Sequence, residues 1–273
     1  MNERGRKLAK IGPLWLAAAV ILVPFAFMLS TSFKSPTEIY DVPFRWIPHH
    51  PTLANYEKAF TQVNLARGTL NTLAIAIPST LGGLLTASFA GFAFAKLRFR
   101  GKDALFAALM ATMMLPGIVT VIPQFAMFAR IGWVDTYWPL ILPGAMGTAL
   151  ATFMMRQYFK TVPDEVIEAA ALDGASPLQT FLRIVFPLAR PALVVLGVFG
   201  LKGAWNDYFG PLVYITSAKE MTIQQMVAST QNAYGGDPGV LMAGACLAML
   251  PLVVLFLFAQ RAFAEGIATT GLK

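Results

Sequence analysis

The sequence predicts an all-α polytopic membrane protein with six spans, and three observations lead there. The 273 residues are 56% hydrophobic and only 13% charged, too few charges to cover a water-soluble fold. Several uncharged apolar runs are long enough to cross a bilayer as helices. Lysine and arginine cluster in alternate connections between those runs, the asymmetry expected of loops retained in the cytoplasm. The net charge of +7 therefore reads as a topology signal rather than as a nucleic-acid footprint.

The basic start MNERGRKLAK precedes an uncharged run, Ile11 to Phe33. That run is too long for a signal-peptide core, and no small-x-small site follows it, so it is expected to stay as the first span. Lys34 to Gly68 is polar and broken by Pro36, Pro43, Pro48 and Pro51. Inside it Thr52 is expected to cap a short interfacial helix carrying Tyr56, Phe60 and Val63 at helical spacing. The second span falls near 69–95 and ends in four cations, Lys96, Arg98, Arg100 and Lys102. These read as a cytoplasmic stop against anionic lipid.

The third and fourth spans fall near 104–129 and 136–155, with Pro116 and Pro123 in one and Pro139 and Pro143 in the other. Prolines are tolerated in lipid where neighbours satisfy the freed carbonyls. The fifth span, near 191–215, contains Lys202 and Asp207, and the sixth lies near 239–259 after a loop rich in Gln, Ser and Gly. Six spans put both termini on one side. With the N-terminus inside, that side holds the cations of the start, of 96–102, Arg156, Lys160, Arg183, Arg190, Arg261 and Lys273. These are twice as many as lie outside, which predicts an N-in, C-in topology.

Catalytic and metal chemistry is not indicated. The lone Cys246 sits in an apolar run, and His49-His50 have no partner at ligand spacing. No Gly-x-x-x-x-Gly-Lys-Ser/Thr phosphate loop occurs, so the chain is not expected to hydrolyse nucleotide.

The polar stretch 161–187 stands apart, and orientation places it in the cytoplasm. Thr161, Pro163, Asp164 and Glu165 predict a helix start, and Gly174 sits where a helix end needs a left-handed residue. Ser176-Pro177-Leu178-Gln179 predicts a capping box opening a second helix, with Leu178, Phe181, Leu182 and Val185 on one face and Pro187 at its end. Three successive alanines leave the first helix with a small-sided face and Glu168 as its long charged arm. Such a face suits either a partner's groove or the bilayer surface.

This stretch resembles the EAA loop of ABC-importer permeases: Glu168-Ala169-Ala170, Gly174, Ile184 and Pro187 match that pattern in spacing, with Phe186 at a position usually Leu. The chain is also similar nearly end to end to the maltose-type sugar permeases. The matching stretches are Thr52-Leu53 with Asn55-Tyr56, Phe92 to Lys96 with Gly101, Met114 to Gly117, Trp205-Asn206-Asp207 and Gln260 to Gly266. The resemblance implies a single permease domain over 1–273 that works with a second, related permease, ATPase subunits and an extracytoplasmic solute-binding protein in a bacterial or archaeal cell membrane. It implies no cofactor in this chain, with ATP and Mg held by the ATPase. Glu168, Ala169, Ala170, Asp173 and Gly174 would be the ATPase-coupling residues, Glu168 meeting a basic group and Gly174 making the turn. Tyr234, Gly235, Gly236 and Asp237 would form the tip of an outer loop reaching the binding protein.

One further expectation comes from the residues themselves. An ionisable group within a span marks a functional candidate, and Lys202 and Asn206 share a helix face beside Trp205. That trio offers a cation, an amide and an aromatic plane to a sugar. Alternatively, Trp205 and Asp207 mark the outer interface and Lys202 pairs with the second permease. An autonomous secondary transporter, a membrane enzyme and a scaffold are the rival functions. The first would need carboxylates or broken helices arranged as two repeats.

Overall fold

Apolar runs without neighbouring strands leave the backbone one way to satisfy itself in lipid, and the chain takes it. The computed structural model describes residues 3–233 and 236–270, all of its regular structure helical. Among the described residues four helices are long and apolar enough to cross a membrane: Ile11–Ser32, Leu65–Lys96, Trp138–Lys160 and Pro238–Gln260. Two bent pairs, Lys102–Met114 with Gly117–Arg130 (99°) and Pro177–Leu188 with Arg190–Trp205 (77°), bring the number to six if each pair is one span.

The chain divides into two compact units, Met1–Arg67 with Gln225–Pro251, and Gly68–Gln224 with Leu252–Lys273. The first opens with α1 (Glu3–Ser32), whose Leu14, Trp15 and Leu16 are more than two-thirds exposed, a surface for lipid. After α2 (Pro36–Ile39) comes α3 (Ala54–Thr61), which begins at Leu53 rather than at Thr52. The Thr52 hydroxyl still accepts the Ala54 amide at 3.1 Å. The face of α3 that packs inward is Asn55 and Ala59; Phe60, expected beside Tyr56 and Val63, is half exposed. Asn55 wins the inward position because its amide donates to Ser32 O and Lys34 O at 2.9 and 2.8 Å, two carbonyls at the frayed end of α1. Lys34 is buried with its ammonium 3.5 Å from the Phe44 ring centre, and burial pushes its pKa down.

The second unit is built on α4 (Leu65–Lys96). Gly82, Gly83 and Gly91 let α4 approach its neighbours closely, for a Cβ there would stand 2.6 to 2.7 Å from Ala145, Gly144 or Met155. The stretch expected near 104–129 is not one rod. It is α5 (Lys102–Ala111), a 3₁₀ turn (Thr112–Met114) and α6 (Gly117–Arg130). The break falls at Leu115-Pro116, where the residue before proline is driven extended, whereas Pro123 is carried inside α6. The next stretch is α7 (Trp138–Ala145) and α8 (Ala149–Lys160), joined at Gly147 with φ +82° and restarted by Thr148, whose hydroxyl accepts the Ala151 amide.

The polar stretch folds as α9 (Asp164–Leu172), a turn, α10 (Pro177–Thr180), a wider π-helical turn Phe181–Val185, and α11 (Phe186–Leu188). Next come α12 (Arg190–Trp205), α13 (Phe209–Tyr214), α14 (Ile223–Ala233) and α15 (Pro238–Thr270). The stretch expected near 191–215 thus ends its main helix at Trp205, and Asp207 lies in the break that follows.

At the end of α4 away from Lys96, Asn71 donates to Lys219 O and Met221 O, both at 2.9 Å. At Asp135 (φ +63°) the carboxylate accepts the Thr216 and Ser217 amides at 2.9 and 2.8 Å and the Ser217 hydroxyl. Those bonds, the Ser217 hydroxyl first, hold its pKa down to about 2. A carboxyl depressed on folding stabilises above its unfolded pKa of about 3.9, and that contribution fades as pH falls through the folded value. The thermal midpoint of Asp135→Ala should therefore lie below the parent at pH 6 and converge on it as pH approaches 2. A gap independent of pH would place the clamp's strength elsewhere.

Candidate functional site

The helix-turn-helix of 164–188 is set by its own sequence. At its close α9 forms a two-bond C-cap: Ala175 N donates to Ala170 O at 2.9 Å and Gly174 N to Ala171 O at 3.0 Å, with Gly174 at φ +80°. Ser176 then makes the expected capping box. Its hydroxyl accepts the Gln179 amide at 3.3 Å, and Gln179 Oε1 accepts the Ser176 amide at 2.8 Å. Thr161 does not cap α9. It closes α8, donating its hydroxyl to Tyr158 O, because Pro163 intervenes and α9 starts only at Asp164.

The second arm is anchored by aromatic packing. Phe181 and Val185 are fully buried with Ala87, Phe92, Met155, Phe159 and Ala189 in one core. Phe181 stands 4.5 Å from Phe89 and 5.2 Å from Phe92, ring centre to ring centre. The wider turn aims Phe181 and Val185 together, so Leu182 and Leu178, expected on the same face, stay about half exposed. Pro187 does not end the arm; the break comes at Ala189, two residues on.

The first arm is presented outward. Glu168, Ala169, Asp173 and Gly174 are exposed, while Ala170 turns inward and is buried. Leu172, which sequence reading passed over, is 89% exposed one turn after Glu168. The signal was present in the i, i+4 spacing, which puts a lone leucine beside the charged arm.

The base of α9 is fastened to the end of α4. Lys96 Nζ, on a side chain only 6% exposed, donates to Val162 O and to Asp164 Oδ1, each at 2.5 Å. The hydrogen bond and charge of Lys96 lower the Asp164 pKa. Arg156 ties α8 to the same end of α4, its Nε donating to Phe94 O at 3.2 Å with its guanidinium over Phe106. Lys102 folds back on Ala95 O and Leu97 O. Two of the four cations expected at a lipid surface are thus spent on α4 carbonyls and on α9, which leaves Arg98 and Arg100 exposed.

A cavity of about 430 Å³ opens among α4, α7, α8, α12 and α13. Ser79, Thr80, Thr148, Phe199 and Asp207 line it, whereas Lys202, Trp205 and Asn206 do not. Lys202 and Asn206 are exposed and Trp205 is buried, so the expected trio is split. Asn206 N donates to Lys202 O at 3.1 Å, and Asn206 Oδ1 accepts from Gln224 at 3.3 Å.

Of the expected outer tip, Tyr234 and Gly235 lie outside the described residues. Gly236 holds φ +78°. Asp237 is turned inward, paired with Lys58 at 3.1 Å and accepting the Gly239 and Val240 amides at the start of α15.

Comparison with known proteins bears on the whole chain. Over 266 residues it is 36% identical to the sn-glycerol-3-phosphate transport system permease protein UgpE of Escherichia coli, covering 93% of each chain. It is 30% identical to the arabinooligosaccharides transport system permease protein AraQ of Halalkalibacterium halodurans, covering 94% of this chain and 92% of that one. Its fold matches a chain of a bacterial ABC transporter for import of the acidic polysaccharide alginate. That match has a TM-score of 0.83 at 20% identity and covers 96% of this chain and 98% of that one. The family described as the binding-protein-dependent transport system inner membrane component matches residues 83–269, which include the helix-turn-helix, its aromatic anchor and the cavity lining other than Thr72, Ile75, Ser79 and Thr80, and the chain belongs to that family.

Proposed function

We propose that the chain is the permease subunit of an ATP-driven importer for a sugar or sugar derivative, working by alternating access. The observation that carries this reading is the outward α9, with Glu168 and Leu172 exposed and its base tied to the spans through Lys96 and the Phe181 core. An exposed lever with a rigid foot is of use only when something outside the chain moves it. Its partner is an ATPase subunit holding ATP and Mg, since the chain carries no phosphate loop. A second permease completes the pathway, and a solute-binding protein delivers the ligand.

The whole chain, 1–273, serves as one permease domain with both termini in the cytoplasm of a bacterial or archaeal cell. This orientation is supported by the cation bias and by the second unit, in which the basic connection after Lys96 and α9 share one end of α4. Glu168, Ala169, Asp173 and Gly174 form the ATPase contact, with Ala170 as its inner support. The relatives' names specify sn-glycerol-3-phosphate and arabinooligosaccharides, both polyhydroxyl solutes, which supports the substrate class.

Purifying the tagged chain from its native membrane tests the reading. An ATPase, a second permease and solute-stimulated ATP hydrolysis in the presence of the binding protein are expected. A chain that purifies alone and transports without ATP would return the secondary-transporter reading.

A further inference from the structure

The cavity of the second unit has a composition that sorts solutes by charge. Among the described residues Asp207 is the one ionisable residue lining it, and no lysine, arginine or histidine does. Its other polar side chains are hydroxyls, Thr72, Ser79, Thr80, Thr148 and Thr222. Thr80 is more than nine-tenths buried, and its hydroxyl has no hydrogen-bond partner among the described residues. A buried hydroxyl normally finds a partner, so one left over beside a cavity points to a group that arrives from outside the chain.

Two helix starts could have made the cavity kind to anions, and both are already answered. The hydroxyl of Thr148 accepts the Ala151 amide at the start of α8. The Asp207 carboxylate accepts the Gly210 amide at 3.0 Å at the start of α13. The end of α12 at Trp205, next to cavity-lining Ala204, adds the partial negative charge of a helix C-terminus. An anion entering here meets a carboxylate with no cation to offset it, in surroundings less screening than water. A neutral polyol meets hydroxyls, a carboxylate that can accept from its hydroxyl groups, and the Phe199 ring.

We propose that this cavity is a station on the solute path that admits neutral or cationic polyhydroxyl solutes and excludes anionic ones. Asp207 is its selecting residue. The inference rests on the permease reading and narrows its substrate class away from phosphate esters and acidic sugars.

The test uses the assembled importer in membrane vesicles, with the native thiol removed by Cys246→Ala and a reporter placed by Ser79→Cys. Ala204→Cys serves as a second reporter should the first fail to assemble. The rate of labelling by a cationic trimethylammonium-ethyl methanethiosulfonate is divided by that of the anionic sulfonato-ethyl reagent. Relative to the same ratio for a free thiol, a rise of about tenfold is expected, the size of one charge acting at cavity distance. Asp207→Asn should remove most of that rise, and Asp207→Lys should invert it. A ratio equal to that of the free thiol, indifference to both substitutions, or a reporter that neither reagent reaches would each overturn the proposal. Co-purification of the ATPase with the same variants reports separately on the permease reading.

Discussion

Glu168→Arg is expected to leave the chain inserted at its normal yield while solute-stimulated ATP hydrolysis by the importer falls at least about thirtyfold. The side chain is exposed on the outward face of α9 and outside the aromatic core, so the substitution removes no packing. If Glu168 meets a basic group of the ATPase, an arginine there sets like charges together. That costs on the order of 2 kcal/mol or more at an interface, which is about thirtyfold in affinity. Gly174→Pro should act by a different route. At φ +80° a proline cannot be accommodated, because its ring fixes φ near −65°. The C-cap that ends α9 would open, and the turn that places Glu168 would be lost with it. The spans would be spared, since a Cβ at Gly174 meets nothing within 4 Å. Measuring hydrolysis and membrane yield together separates coupling from folding. Normal stimulation in both variants would remove the coupling role from α9, and loss of yield in Glu168→Arg would make its role one of folding.

The helical class and the apolar runs were readable because lipid leaves few alternatives, and hydrophobicity along the chain reports burial in lipid directly. Local chemistry was readable where it is short-range. The Ser176 capping box and the left-handed Gly174 each involve residues within a few positions of each other. One reading failed on a local competition and another where a distant partner decides. Thr161 looked like a cap for α9, but Pro163 delays the helix and Thr161 finishes α8 instead. Leu182 looked buried because a period of 3.6 was assumed; the wider turn at 181–185 follows the Phe89 and Phe92 rings, which lie some ninety residues earlier. The cavity was not legible in the sequence either. Lys202 drew attention as an ion within an apolar run, yet that run ends its main helix at Trp205, and the cavity gathers Ser79 from α4, Thr148 from the start of α8 and Asp207 from the break after α12. Nothing in the spacing of those three could have joined them.

The base of α9 supplies the last expected result: Lys96→Met should uncouple the importer without detaching the ATPase. If α9 is the ATPase contact, coupling between it and the transmembrane path requires that α9 and the spans move as one body. Two links provide this. The Phe181 core holds the second arm and meets α9 at Ile167, while among the described residues Lys96 joins the end of α4 to both Val162 O and Asp164 at the foot of the first. Its ammonium is sheltered on a side chain only 6% exposed, whereas Asp164 is 78% exposed, so the carbonyl of Val162 depends on this one donor more than Asp164 does. Methionine keeps the unbranched side chain to within one atom of its length and removes the donor. Amide exchange across 164–172 should then quicken by about tenfold, the factor carried by losing a charge-assisted hydrogen bond. Glu168 and Leu172 remain in place, so the ATPase should still co-purify while its hydrolysis no longer responds to solute. Lys96→Arg, which keeps donors and charge, should restore most of the response. Asp164→Asn should have a smaller effect than Lys96→Met, because the Val162 bond survives it. Equal effects of the two would make the ion pair, rather than the carbonyl bond, the working link. Unchanged exchange and full stimulation in Lys96→Met would leave the aromatic core as the sole transmitter.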